Sequence, residues 1–436
     1  MIRLLFLIIL AFLSIAEIKT SLSDKSKKIM FITSLSVYFV FLSLRYAQGT
    51  DFLSFAFHYY REIDIVSFLQ GEAPRYYVDF GYTLLVMIFR QMNANFSILV
   101  AFVNLINILL LYKFINYFAK HKMLTLTLFY GIYGLVFLES TLRQSLAITI
   151  ILGLFLPLLA EKRKVFSFLA IALAAWFHLS AWICLLVWIV EDERITNFIK
   201  NKNKIFVTGL LMSFLMINFF PLEWFGIFLP NMFYHRLEFY MTGNSFSLIG
   251  IIRRLSVLLV VIYLIFKHRG FGFVTAKEEV LLKSLLLGLC FYFIFMRIDI
   301  ISRVTTFAEI GQVAVLPQIL LKHNKYLIER LMAISYFLLS VALYFNANIA
   351  TLRQLPYRNN VILVPYITIF ERERLDETIE LEKLTNVDFL SHRIMKGDLS
   401  IRDLNRCIRT NQGQLWRCRH EKTESNDRDR NETRDY

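Results

Sequence analysis

Arginines stand close to carboxylates, histidines and tyrosines at several points of this 436-residue chain. Arg45 is followed by Asp51, and Asp79 by Tyr82. Glu139 and Arg143 are one helical turn apart, with Gln144 next. His178 sits in apolar surroundings. His235, Arg236, Glu238 and Tyr240 form one group, and Arg297, Asp299 and Arg303 another. Guanidinium forks match the oxygens of phosphate groups. A carboxylate or an imidazole can take a proton from an attacking hydroxyl. Aromatic faces can carry sugar rings. Each residue also has a plain structural reading. Arg143 could pair with Glu139, and Arg303 with Asp299, in the i, i+4 manner. His178 could be a packed core histidine. Tyr59, Tyr60, Tyr76, Tyr77, Tyr234 and Tyr240 could form an interfacial aromatic belt. The chemical reading depends on convergence, and therefore on the elements that place these residues.

Those elements are apolar runs. Hydrophobic residues make up 57% of the chain, with 42 Phe and only seven Pro. The mean hydropathy is +0.53, whereas a soluble chain is about 45–50% apolar. The runs reach the roughly 20 residues that a helix needs to cross the hydrocarbon core. They are continuous, not alternating as barrel strands would be. The expected fold is all-α: a polytopic helical membrane bundle of about 12 transmembrane helices, with two long outer loops and a charged C-terminal tail. Residues 1–370 form the membrane part and residues 371–436 the tail. No internal repeat is visible.

Charge orients the bundle. The formal net charge is +14. The tail is nearly balanced, with 14 Lys and Arg against 15 Asp and Glu, so the excess lies in the membrane part. Cytoplasmic loops collect Lys and Arg, and lysine-rich turns recur: Lys19–Lys28, Lys113–Lys122, Glu161–Lys164, Arg194–Lys204, Lys267–Lys277 and Lys322–Lys325. With these inside, Ile2–Ala16 is a retained helix, though it resembles a signal-peptide core. Gly81–Met92, too short to span, lies at the outer surface. The long loops Arg45–Phe80 and Pro221–Phe246 are then outside, together with Glu139, Arg143, His178 and Arg303, while the spans stay nearly free of charge. Arginines on that side run against the positive-inside rule, so a ligand outside must want them. The basic balance does not point to nucleic acid, because no basic stripe with interleaved aromatics occurs on a soluble segment. Cys184 and Cys290 lie in apolar runs as core residues. Cys407 and Cys418 could pair if the tail is in an oxidising compartment. Residues from Glu421 onward have the composition of a disordered segment.

The order of these motifs resembles the EpsG family of exopolysaccharide polymerases, relatives of Wzy-type O-antigen polymerases. The resemblance runs over roughly residues 30–370. It is carried by Arg45-Tyr46 with Gly49-Thr50-Asp51 and then Tyr59-Tyr60. It continues in Asp79-Phe80-Gly81-Tyr82, with Asp where the family has Glu, and in Arg143-Gln144-Ser145-Leu146-Ala147. Phe177-His178-Leu179-Ser180-Ala181, Arg236 with Tyr240, Arg303 with Phe307 in place of the more usual Tyr, and Pro365-Tyr366 complete it.

The resemblance implies polymerisation of polyprenyl-diphosphate-linked oligosaccharide repeats at the outer face of a bacterial inner membrane. It implies substrate binding by Arg45, Asp79, Tyr82, Arg143, Gln144, Arg236, Tyr240 and Arg303. His178 and Asp51 compete for the role of base. Membrane lipid, a chain-length regulator and a flippase are the implied partners. No cofactor and no metal is expected, because arginines supply the positive charge. An O-antigen ligase would share this chemistry. A transporter would place its polar groups near the bilayer midplane. A scaffold would need no outer arginines.

Overall fold

The computed structural model describes residues 2–47, 52–74, 79–191, 248–268, 271, 274–296, 298, 301–322, 331, 332, 334–342, 368–370 and 386–410. Asp51, Tyr76, Tyr77, Arg236, Tyr240, Arg297, Asp299 and Cys418 lie outside them, as does the segment from Glu421.

In hydrocarbon a backbone must satisfy its own polar groups. Among the described residues the regular elements are helices, joined by one isolated bridge between Arg45 and Thr368. In chain order they are α1 (Ile2–Lys19), α2 (Asp24–Leu44), α3 (Phe52–Arg61), α4 (Ile65–Leu69), α5 (Phe80–Gln91), α6 (Phe96–Phe118) and α7 (Lys122–Phe129). Then come α8 (Leu142–Ile150), α9 (Leu156–Ala160), α10 (Lys164–Phe177), α11 (Cys184–Val190), α12 (Leu248–Lys267), α13 (Ala276–Ile294), α14 (Ile301–Glu309) and α15 (Gln312–Lys322). Two tail helices follow, α16 (Asn386–Lys396) and α17 (Ile401–Thr410).

Among the described residues, three helices are long and apolar enough to cross a membrane: Asp24–Leu44, Phe96–Phe118 and Leu142–Ala160. The pair α14 and α15 makes a fourth if its 53° bend belongs to one broken span. Several expected spans are therefore shorter or more polar than hydropathy averaging implies. Thr305–Leu321 is not one straight rod, and Val165–Phe177 stays a short apolar helix. Ile205–Phe220 lies outside the described residues. The helix expected at Gly81–Met92 is present as α5 and is 12 residues long.

Polar groups pin the first helix. Arg3 Nε donates to Glu139 Oε2 at 2.8 Å, with both side chains buried. At the far end of α1, Glu17 accepts from the backbone N–H groups of Lys122 and Met123, each at 2.9 Å. Those N–H groups open α7 and have no partner within the helix, so the carboxylate meets both bare donors and the positive end of the dipole. Glu139 is thus taken by Arg3, 136 positions away, and not by its neighbour Arg143.

Close backbone approach locks the helix carrying Arg143. A Cβ on Gly153 would lie 2.6 Å from Leu110 O, so only glycine lets α8–α9 sit this near α6. Beneath it Asn107 Nδ2 donates to Ser145 Oγ at 3.1 Å, and Thr149 Oγ1 donates to Asn107 Oδ1 at 2.8 Å. These groups are buried and satisfied by one another, as buried polar groups must be.

The tail is part of the packed structure. α16 packs on α3. Tyr46 Oη and His392 Nδ1 are 2.8 Å apart and both buried. Phe57, Leu390, Leu404 and Cys407 form a small apolar cluster. Cys407 is in a disulfide, while Cys184 and Cys290 are free thiols.

The Arg3–Glu139 pair yields a stability prediction. Arg3→Met leaves a buried carboxylate alone and should cost about 3–5 kcal/mol. The double variant Arg3→Met/Glu139→Leu should recover most of that loss. Thermal unfolding of the purified protein in detergent decides it, and equal losses in single and double variants would contradict it.

Candidate functional site

Three separate helix ends meet at one carboxylate. Asp79 is the N-terminal flanking residue of α5, His178 follows the last residue of α10, and Arg143 is in the first turn of α8. Arg143 Nη1 donates to Asp79 Oδ2. His178 Nδ1 lies 3.6 Å from the same oxygen. That is a polar contact just beyond hydrogen-bond reach, and such contacts commonly tighten when substrate binds. Gly81 makes the approach feasible: a Cβ there would stand 2.9 Å from Trp176 O. α5 therefore lies directly against the C-terminal end of α10, which delivers His178 to Asp79.

Aromatic rings wall the cluster. Arg143 lies over the ring of Phe55 at 5.2 Å, a cation–π contact. Phe55 in turn meets Tyr82 edge-on at 5.4 Å. The His178 imidazole stacks on Phe307 with centroids 6.1 Å apart. On the same turn of α8, Gln144 Nε2 donates to Arg303 O at 3.3 Å, which fixes α14 against α8. Asp79, Tyr82, Arg143, Gln144, His178 and Arg303 are thus brought to one place, together with Phe307.

Burial favours protonation of Asp79, but the contact from His178 and the charge of Arg143 outweigh it and hold the carboxyl below its usual range. Asp79 is an anion at neutral pH. Several polar atoms here are buried without a hydrogen-bond partner among the described residues: Arg143 Nε, His178 Nδ1 and Tyr82 Oη. Orphaned buried polar atoms in a native fold call for an explanation, and a ligand that completes them is one.

Arg45 serves a different place. It is buried at the end of α2, where Nη1 donates to Leu42 O at 3.2 Å and the backbone bridges to Thr368. Asp51, Arg236 and Tyr240 are outside the described residues. Arg303 joins the site through its carbonyl, and its side chain is exposed.

Some residues escaped sequence reasoning. His58 of α3 is held neutral, because burial and the charge of Arg143 push its pKa down. Its motif neighbours are Tyr59 and Tyr60, which drew the eye instead. Arg253, Arg254 and Glu309 form a buried ionic group inside runs taken as free of charge. The expectation that the spans stay nearly free of charge does not hold there. The signal was present: two adjacent basic residues in one apolar run and one acidic residue in another are expensive unless paired.

Asp79 gives a pH prediction. A carboxyl with a lowered folded pKa adds stability that is fully present above its unfolded pKa and is lost as pH falls through the folded value. The Tm difference between wild type and Asp79→Asn should be constant above about pH 5 and shrink below about pH 4. A difference that grows on acidification would contradict the assignment.

Residues 28–366 match the family described as the EpsG family. No curated protein and no solved structure matches the chain.

Proposed function

Because the chain belongs to the EpsG family, we propose that it is a membrane-embedded polysaccharide polymerase acting on polyprenyl-diphosphate-linked oligosaccharide repeats. It works at the outer face of a bacterial inner membrane, within a bundle of about 12 spans. The observation that carries this reading is the convergence of Asp79, Arg143 and His178 from three helix ends.

The reaction moves a growing chain from its lipid diphosphate to a hydroxyl of the next lipid-linked repeat. The acceptor oxygen forms a bond to the anomeric carbon. The bond from that carbon to the diphosphate oxygen breaks, and its electron pair leaves with the diphosphate. The acceptor proton goes to a base. His178 takes that proton, and Asp79 stabilises the imidazolium that results. Asp51, in the opening motif, is the competing base. Arg143 and Arg303, with Arg236 from the second long loop, meet charge developing on the diphosphate. Tyr82, Gln144 and Tyr240 line the sugar path, and Arg45 supports it from the end of α2. The arginines provide positive charge from the protein itself, so the scheme calls on no cofactor. A flippase and a chain-length regulator are the natural partners, supplying repeats and ending growth.

A second reading, a transporter of lipid-linked oligosaccharide, draws support from the buried Arg253, Arg254 and Glu309, since transporters keep ionic groups inside the bundle. A ligase differs only in its acceptor.

Purified protein supplied with the host's lipid-diphosphate-linked repeats separates these readings. The wild type should produce a ladder of chain lengths. Arg143→Ala and His178→Ala should each lower the rate by about 10²-fold or more while remaining folded. No ladder from folded wild type would exclude the polymerase. A ladder surviving both substitutions would keep the activity and move it away from this site.

A further inference from the structure

The ionic group between α12 and α14 has an unusual balance. Glu309 is completely buried and receives two arginines. Arg254 Nε donates to its two oxygens at 2.8 and 3.0 Å, and Arg253 Nη2 donates to one of them at 3.1 Å. Arg254 also donates from Nη2 to Ser302 O at 3.4 Å and lies 3.8 Å over the ring of Tyr292. Among the described residues, two guanidinium groups against one carboxylate leave one positive charge over. A bundle interior is a costly place for a net charge, and a matched pair would have needed one arginine only.

The surplus charge has an open edge. Arg254 is held by Glu309, Ser302 and Tyr292. Arg253 hydrogen-bonds only to Glu309 among the described residues. Its side chain keeps 10% of its surface exposed, where Glu309 keeps none. The ionic group shares α14 with the site described above. Arg254 holds the carbonyl of Ser302 and Gln144 holds the carbonyl of Arg303. The two groups therefore hang on consecutive carbonyls of α14. Their electrostatics differ: Arg143 is already matched by Asp79, whereas Arg253 and Arg254 together outnumber Glu309.

We propose that Arg253 and Arg254, oriented by Glu309, form an anion-binding subsite that takes the diphosphate of the lipid-linked donor. This rests on the glycosyl-transfer reading above and extends its diphosphate site beyond Arg143 and Arg303. As the bond from the anomeric carbon to oxygen breaks, the electron pair adds charge to the diphosphate, and a preset, largely dehydrated cation is the group suited to meet it. Asp79 and His178 handle the proton, with His178 stacked on Phe307 of α14. Glu309 is a positioning residue. It holds both forks in place and makes the second arginine tolerable.

The test is binding of geranylgeranyl diphosphate to the purified full-length chain, with Kd and Tm measured on the same preparations. Arg253→Gln removes the surplus charge and leaves the matched Arg254–Glu309 pair. It should weaken binding by about 10-fold or more while Tm stays at or above the wild-type value. Should the glutamine variant not fold, Arg253→Lys keeps the charge but loses the planar fork, and it should weaken binding by about threefold or more. Affinity unchanged in Arg253→Gln, or a lost Tm with affinity retained, would overturn the subsite and leave the polymerase reading standing. A wild type that binds no diphosphate would overturn both.

Discussion

The carboxylate of Asp79 is the point on which the arrangement depends. It begins one short helix, accepts from an arginine that begins a second, and lies beside a histidine that ends a third. None of these side chains reaches the others through its own helix. Their meeting requires α5 to lie against α10, which Gly81 permits by omitting a Cβ. It also requires α8 to be held at one depth, which Gly153 and the Asn107–Ser145–Thr149 network ensure. A single small anion thus turns three packing relationships into one chemical centre. It stays ionised because its contacts with His178 and Arg143 outweigh burial.

The same constraint governs the rest of the interior. Charges inside a helical bundle persist only where a partner or a helix end satisfies them. Glu139 has Arg3, and Glu17 has the opening N–H groups of α7. These contacts clamp α1 along the stretch that runs from the start of α7 to Glu139. Glu309 stands apart in having more cation than it needs. The tail shows another way of fixing an outer element. α16 and α17 lay an apolar cluster on Phe57 of α3, whose Phe55 faces Arg143. A segment beyond the family match thereby supports a helix that walls the site.

Much of this was legible in the sequence because helix ends are where lipid stops hiding polar groups. Asp79, Arg143 and His178 each flank an apolar run, so hydropathy and the distribution of lysine place them on one face. The short α5 was legible from its length. What hydropathy could not give was pairing. Arg3 and Glu139 are 136 positions apart, and the i, i+4 rule could offer only Arg143 as a neighbour for Glu139. Averaging over windows also diluted Arg253, Arg254 and Glu309 into apolar runs, although their opposite signs carried the clue. The 53° bend between α14 and α15 falls at Ile310 and Gly311, and no average over composition records it. The cluster of Phe57 with Leu390 and Leu404 joins segments over 300 positions apart, beyond any local pattern.

If Asp79 and His178 act as one unit on one proton, their effects on rate must be coupled. The most direct measurement is a double-mutant cycle on the polymerisation rate with Asp79→Asn, His178→Ala and the combination. Residues acting as a unit are strongly non-additive. The double variant should be no slower than the worse single variant, within about threefold. Losses that multiply would mean that the two side chains act independently, and the centre built on Asp79 would not be the catalytic unit.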